Sequence, residues 1–295
     1  MKVFVTGATG FIGSAVVREL LTAGHEVVGL ARSDAGAQKL KAAGAEAHIG
    51  SLEDPESLAK GAAAADGVIH LAFIHSFPGF LGAPKKDQRA IDAMGAVLVG
   101  TNKPLVVAGG VLGLRPGQIL TEDYRPNYAK VPRKSEQAVL AWASRGVRGS
   151  VVRLSPTVHG DGDHGFSAML VAAARKKGRA VYVGNGSSRW AAVHRLDAAP
   201  LFRLALEKGV AGGIYHGVSD EGVKFLDIAT ILGRRLNVPL VSKSGLGALF
   251  SLGFLGFLAG LDGPASSQLT QKELGWIPTH PSLISDLENG TYFDQ

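Results

Sequence analysis

Thr6-Gly7-Ala8-Thr9-Gly10-Phe11-Ile12-Gly13 is the segment of this 295-residue chain whose chemistry is easiest to read. It follows a short β-rich run, Lys2 to Thr6, and opens a helical stretch, Phe11 to Ala23. Gly7 permits a sharp turn, Gly10 lets backbone approach a pyrophosphate, and Gly13 lets the helix pack closely on the sheet. Free N–H groups at the helix start then face the anion, with Thr9, Phe11 and Ile12 completing the cradle. The second strand ends Leu30-Ala31-Arg32-Ser33, with no acid to accept from a ribose 2′-hydroxyl. A guanidinium suits a 2′-phosphate, so Arg32 and Ser33 predict NADP(H) in preference to NAD(H).

Other titratable residues are scattered further on. His75 follows the fourth strand, where a site should open, and His159 precedes a Gly-rich loop holding Asp161, Asp163 and His164. Arg189 and His194 lie in the second half. Histidine changes charge near neutral pH, so the group is a source of candidate acids and bases. Each residue also fits an ordinary loop or core position. The Asp161–His164 spacing reads as a tight turn, and no metal site is expected.

The elements that must position these residues alternate along the first half. Strands are expected at Lys2–Thr6, Glu26–Leu30, Ala45–Ile49, Gly67–Ala72, Leu105–Ala108 and Ser150–Leu154. Helices are expected at Phe11–Ala23, Ala35–Ala43, from Asp54-Pro55-Glu56, Lys86–Val99 and Pro132–Arg145. Apolar strands alternating with amphipathic helices imply an α/β fold, a Rossmann-type doubly wound parallel sheet. Residues 1–160, completed by parts of 180–220, read as the dinucleotide-binding domain, and residues 161–295 as a smaller substrate-side region. There, Phe166–Lys177, Leu196–Glu207 and Lys224–Leu236 look helical, and Val181–Val183 and Ile214–His216 look like strands. Trp190 and Trp276 are expected to line the cleft.

Composition narrows the classes. Hydrophobic residues are 46% and charged residues 19%, which excludes a mainly disordered chain. There is no cysteine, so disulfides, thiolate metal sites and a cysteine nucleophile are excluded. The net charge of +6 comes without long basic runs, and a small anionic ligand accounts for it as well as nucleic acid would. The expected partner is therefore a small molecule and not nucleic acid. The uncharged stretch Gly245–Leu261 is too short to span a bilayer and reads as a buried or lid-forming helix pair, with a membrane- or partner-docking face or a homodimer contact as the alternative. Met1 leads straight into a strand with no signal-peptide pattern, so a cytoplasmic location is expected.

The motifs together resemble the extended and atypical short-chain dehydrogenases/reductases, the epimerase/dehydratase-like branch. Besides residues 6–13, the resemblance rests on Val68-Ile69-His70-Leu71-Ala72, on Val152 to Gly160, on Ala192 to Asp197 and on Leu274-Gly275-Trp276-Ile277-Pro278. It implies cofactor contacts from Ser51 and Leu52, from Leu71, Ala72 and Phe73, from Ala108, and from the Pro156-Thr157-Val158 loop against the nicotinamide. The family's chemistry uses a Tyr, a Lys four residues later, and a hydroxyl after the fifth strand. Here that strand runs into Ala108-Gly109-Gly110. Counting back from Glu136 puts Tyr128 at the Tyr position and Pro132 at the Lys position. Either Tyr128 remains the proton donor, with Arg133 or Lys134 supplying the charge, or Tyr128 is a loop residue and His75 or His159 takes over.

The functional expectation is an NADP(H)-dependent oxidoreductase acting on a small, rather apolar carbonyl or unsaturated substrate. The alternative is a cofactor-binding sensor or scaffold of the NmrA-like kind, without turnover. Arg32→Ala is expected to weaken NADPH binding by about tenfold or more while leaving NADH nearly unchanged, read by calorimetric titration of both dinucleotides. Equal weakening of the two removes the 2′-phosphate assignment.

Overall fold

Four of the five residues of Lys2–Thr6 are buried, and this run forms β1. A strand covered on both faces belongs in a parallel sheet with helices on either side. The computed structural model describes residues 1–74 and 82–294. Its central sheet joins β1 to β2 (Glu26–Ala31), β3 (Glu46–Ile49), β4 (Gly67–His70), β5 (Pro104–Gly110), β6 (Arg148–Leu154) and β10 (Ile214–Gly217). The order is β3-β2-β1-β4-β5-β6-β10, and every pair is parallel.

One face is covered by α1 (Phe11–Thr22) and α7 (Arg195–Lys208), whose Val16, Leu20, Leu201 and Phe202 share a core with Val3, Val5 and Ile69. The other face carries α3 (Pro55–Ala63), α4 (Ala83–Leu98) and α5 (Ser135–Ala143), whose Leu58, Ile91, Met94 and Val139 pack on Phe4, Val68 and Leu105. α2 (Asp34–Ala42) follows β2, its start capped by the Ser33 hydroxyl. Strand order reverses between β1 and β4, so a crevice opens at their carboxyl ends.

The rest of the chain builds a smaller unit. β7 (Thr157–His159), β9 (Arg189–His194) and β11 (Asp220–Lys224) form one sheet, and β8 (Ala180–Val183) pairs with β12 (Leu240–Lys243). Around them lie α6 (Phe166–Lys177), α8 (Phe225–Leu236), α9 (Gly245–Leu252), α10 (Phe254–Ala259) and α12 (Leu283–Asn289), while α11 (Gln268–Leu274) packs on α7 and β10. No helix among the described residues is long and apolar enough to cross a membrane.

Four expectations need correction. The helix expected from Pro132 begins at Ser135, because Arg133 and Lys134 are drawn away to partners described below. The fourth strand stops at His70, because the Ala72 amide turns to donate to the Thr6 hydroxyl. Trp190 and Trp276 are each 1% exposed and belong to the core, not to a cleft. Gly245–Leu261 is a helix pair buried on one side only: Ala248 and Leu258 are covered, while Phe250 is 88% exposed.

The turn after β1 is closely packed. Gly7 has φ +69°, and a Cβ there would stand 2.8 Å from the Ala72 nitrogen. A Cβ on Gly13 would lie 2.0 Å from the Gly7 carbonyl oxygen, so no side chain fits between helix and turn. Gly13→Ala is expected to cost about 3 kcal/mol or more in urea unfolding and to abolish dinucleotide binding. Wild-type stability in that variant would mean that the turn can relax.

Candidate functional site

The crevice starts at α1. Its N-cap is Gly10, with no side-chain cap and no acidic residue in the first turn, so the first amides are left for an outside acceptor. The Phe11 ring meets His164 edge-on, with centroids 5.7 Å apart, and Arg195 lies over it at 4.9 Å. At the adenosine end, Ser33 and not Arg32 caps α2. Arg32 is exposed and makes no ion pair among the described residues. Ser51 and Leu52, after β3, are half-buried.

A buried chain of polar groups runs behind the other half of the crevice. The Thr6 hydroxyl accepts from the Ala72 amide (3.2 Å) and meets His70 Nδ1 at 2.8 Å. His70 Nε2 meets Asp87 at 3.1 Å. Since the carboxylate accepts, Nε2 carries the proton and Nδ1 accepts from Thr6. The other Asp87 oxygen accepts from the Ser135 hydroxyl. Arg133 Nε donates to Ser135 Oγ at 2.7 Å, and its terminal nitrogen donates to the Ala108 carbonyl at 2.8 Å. The Arg133 guanidinium lies 4.2 Å from the centre of the Phe73 ring. Burial raises the Asp87 pKa, but the hydrogen bonds from His70 and Ser135 and the charge of Arg133 outweigh it and hold the carboxyl below its ordinary range. Arg133 thus stands among Phe73, Ala108 and Ser135, at the carboxyl ends of β4 and β5, whereas Lys134 folds back onto the Tyr128 carbonyl at 2.6 Å.

Tyr128 sits on a second network. It lies in a single helical turn, Tyr128–Lys130, before α5. Its hydroxyl donates to Glu136 Oε1 at 2.6 Å. Glu136 takes two bonds from the fully buried Arg153, at 2.7 and 2.6 Å. Arg153 also reaches the Tyr124 carbonyl at 2.9 Å and His216 Nε2 at 3.3 Å. His216 Nδ1 therefore donates to the Ser266 carbonyl, at 2.7 Å. Burial, reinforced by Glu136, pushes Tyr128 up to about 12. Burial, reinforced by the Arg153 charge, pushes His216 down to about 3.

The remaining candidates fall elsewhere. His159 is fully buried on β7, with Nδ1 2.7 Å from Asp286 and Nε2 without a partner among the described residues. Its ring stands edge-on to His194, which stacks on His280, itself held by Asp197. Asp163 accepts from the Tyr292 hydroxyl and the Gly165 amide. Arg189 is paired bidentately with Asp262. The structure brings Phe73 and Ala108 together with Arg133, and Ala72 against Thr6, but places His159 among the C-terminal groups. His75 lies outside the described residues. Asp87, Arg153, His216 and Asp286 were missed by sequence reading. Two left a signal: Asp87 sits on the apolar stripe of α4 with Ala83, Ala90, Ile91 and Met94, and Arg153 interrupts the apolar run of β6.

Comparison with known proteins agrees with this geometry. The model of the NAD dependent epimerase/dehydratase family matches residues 3–97. An uncharacterized protein of Schizosaccharomyces pombe is 50% identical over 99% of this chain and 100% of its own length. A 4-hydroxy-2-methyl-3-oxo-4-farnesyl-3,4-dihydroquinoline-1-oxide ketoreductase of Stigmatella aurantiaca is 29% identical over 79% of this chain and 72% of its own. Among solved structures, the dTDP-glucose 4,6-dehydratase DesIV of Streptomyces venezuelae, with NAD bound, superposes with TM-score 0.77 at 20% identity, covering 100% of this chain and 97% of its own.

His216 makes stability sensitive to acid. Unfolded, the imidazole binds a proton below its ordinary 6.5, whereas the folded site refuses it down to about 3. Its contribution is complete above 6.5 and drains away as pH falls toward 3. Moving from pH 7 to pH 5 is expected to cost the wild type about 2 kcal/mol more in urea unfolding than it costs His216→Asn. Equal losses would assign the acid sensitivity to other groups.

Proposed function

The chain belongs to the NAD-dependent epimerase/dehydratase family of the short-chain dehydrogenases/reductases, and from that premise we propose that it is an NADP(H)-dependent oxidoreductase acting on a small, rather apolar carbonyl or unsaturated substrate. The observation that carries this reading is an open anion cradle on α1 combined with a guanidinium, Arg32, just after β2 that is exposed and makes no ion pair among the described residues. The residues fit the cofactor: glycines at 7 and 13 let the turn close on the chain just after β4 and on α1, where a Cβ would strike backbone, and no carboxylate in the first turn of α1 competes for its amides. Thr157 Oγ1, in the segment expected beside the nicotinamide, is buried without a partner among the described residues.

Gly7, Thr9, Gly10, Phe11, Ile12 and Gly13 would hold the diphosphate, and Arg32 with Ser33 the 2′-phosphate. Leu71, Ala72, Phe73, Ala108 and Pro156–Val158 would wall the nicotinamide half. The cofactor, when bound, supplies or takes the hydride. The protein's share is position and charge. Arg133 is placed to do what the family's lysine does, since its cation is fixed at the ends of β4 and β5. Tyr128 is a structural partner of Glu136 in this reading: its proton is engaged and its pKa is raised, which is the wrong direction for an acid working near neutral pH. The same observation favours a second reading, a dinucleotide-binding sensor with no turnover.

The test is consumption of NADPH with a panel of apolar ketones, aldehydes and enones. At least one compound is expected to be turned over. Tyr128→Phe should keep kcat within about threefold, and Arg133→Met should lower it by about tenfold or more. Tight NADPH binding with no turnover on the whole panel moves the assignment to the sensor. Failure to bind either dinucleotide overturns both readings.

A further inference from the structure

Helices α9 and α10 carry an apolar ridge on the outside of the smaller unit. Leu246 and Phe250, one turn apart, are 70% and 88% exposed, and Phe257 on α10 is 52% exposed. The ridge is firmly backed. The opposite side of α9 carries the fully buried Ala248, and Leu252 lines a small cavity with Arg179, Val181, Phe225 and Leu232. The two helices touch at Gly256, where a Cβ would lie 2.0 Å from the Ala248 carbonyl oxygen. These apolar side chains are thus presented by packed helices and not by a frayed loop.

The segments that build the ridge and its immediate neighbours carry charge of a single sign. Residues 164–196 and 238–261, which supply α6, β8, β12, α9 and α10, contain no Asp or Glu. They do contain Arg175, Lys176, Lys177 and Arg179, and Lys243 just before the Ser244 cap of α9. Because Arg179 shares the cavity with Leu252, cations stand at both ends of α9. Lys176 and Lys177 are exposed and make no ion pair among the described residues. Arg189, the next cation, is already neutralised by Asp262.

We propose that this ridge docks on an anionic lipid bilayer. Leu246, Phe250 and Phe257 enter the boundary between headgroups and acyl chains, and Lys176, Lys177 and Lys243 meet the anionic headgroups. A charge-free apolar face flanked by Lys and Arg is what an in-plane membrane contact requires. The helices lie on the membrane, since α9 has 8 residues and α10 has 6. A second copy of the chain is a poorer occupant. A two-fold contact puts the same patch on both sides, and here it would oppose cations to cations with no carboxylate between them.

The experiment is co-sedimentation of the full chain with vesicles of phosphatidylcholine alone and of phosphatidylcholine with phosphatidylserine. Binding is expected to the phosphatidylserine vesicles and to weaken with salt. Leu246→Ser with Phe250→Ser should lower it by about tenfold or more, and Lys176→Glu with Lys177→Glu should lower it on the anionic vesicles. Both pairs change exposed side chains, and unchanged thermal unfolding confirms that each variant is folded. No vesicle binding, or binding untouched by either pair, overturns the proposal. A dimer seen by light scattering that Phe250→Ser dissociates, in a chain that ignores vesicles, assigns the ridge to a second copy and overturns it as well.

Discussion

Asp87 is the group on which the crevice depends. A carboxylate 1% exposed is expensive to bury, and it is tolerated only where its lone pairs and its charge are both met. Here His70 and Ser135 meet the lone pairs, and Arg133 supports the charge. Through these partners one side chain on α4 ties together the tip of β1 at Thr6, the tip of β4 at His70, the tip of β5 at Ala108 and the start of α5. The mouth of the parallel sheet is therefore held by polar geometry, which is directional, over an apolar core, which is not. Removing one member of such a buried set leaves another charge unpaired, at a cost of about 3–5 kcal/mol.

The same economy recurs one strand further out. Arg153, fully buried in β6, is satisfied by Glu136, the Tyr124 carbonyl and His216, and the set reaches α11 through the Thr270 hydroxyl, which accepts from the His216 amide. Glu122 in turn accepts from the Thr270 amide and hydroxyl. These bonds join loops far apart in the chain to the end of the sheet. In this conformation the Tyr128 hydroxyl donates to Glu136 and so completes the Arg153 site.

Much of this was legible before any coordinates. The β1 turn, the helix after it, Arg32 at the end of β2 and the span of α6 all follow from local rules of turn glycines, strand ends and periodicity. The start of α5 did not, because Pro132 obeys the rule for a first helical position while the real start is set by Asp87, 48 residues from Ser135 in sequence. His159 illustrates the same limit. Its type and place suggest an acid–base group, but its partner is Asp286, 127 residues away, and that pairing draws it toward the C-terminal helix. Periodicity can report that a residue faces inward; it cannot report which distant group meets it there. The charged residues on apolar stripes, Asp87 and Arg153, were the readable exceptions, since each demands a partner even when the sequence does not say which.

The last strand of the central sheet comes late. β10, at residues 214–217, completes the edge beside β6 only after the whole of the β7–β9 region has been made. Contacts of that sequence separation slow folding, and until they form, β6 presents unpaired backbone along Val151, Val152 and Leu154. A nascent or truncated chain ending near residue 160 would carry that sticky margin into solution as a template for foreign strands. The covalent boundary between the two units is therefore not a place where the molecule can be cut: the central sheet borrows its closing strand from chain that follows β7–β9, and the two units must mature as one cooperative body.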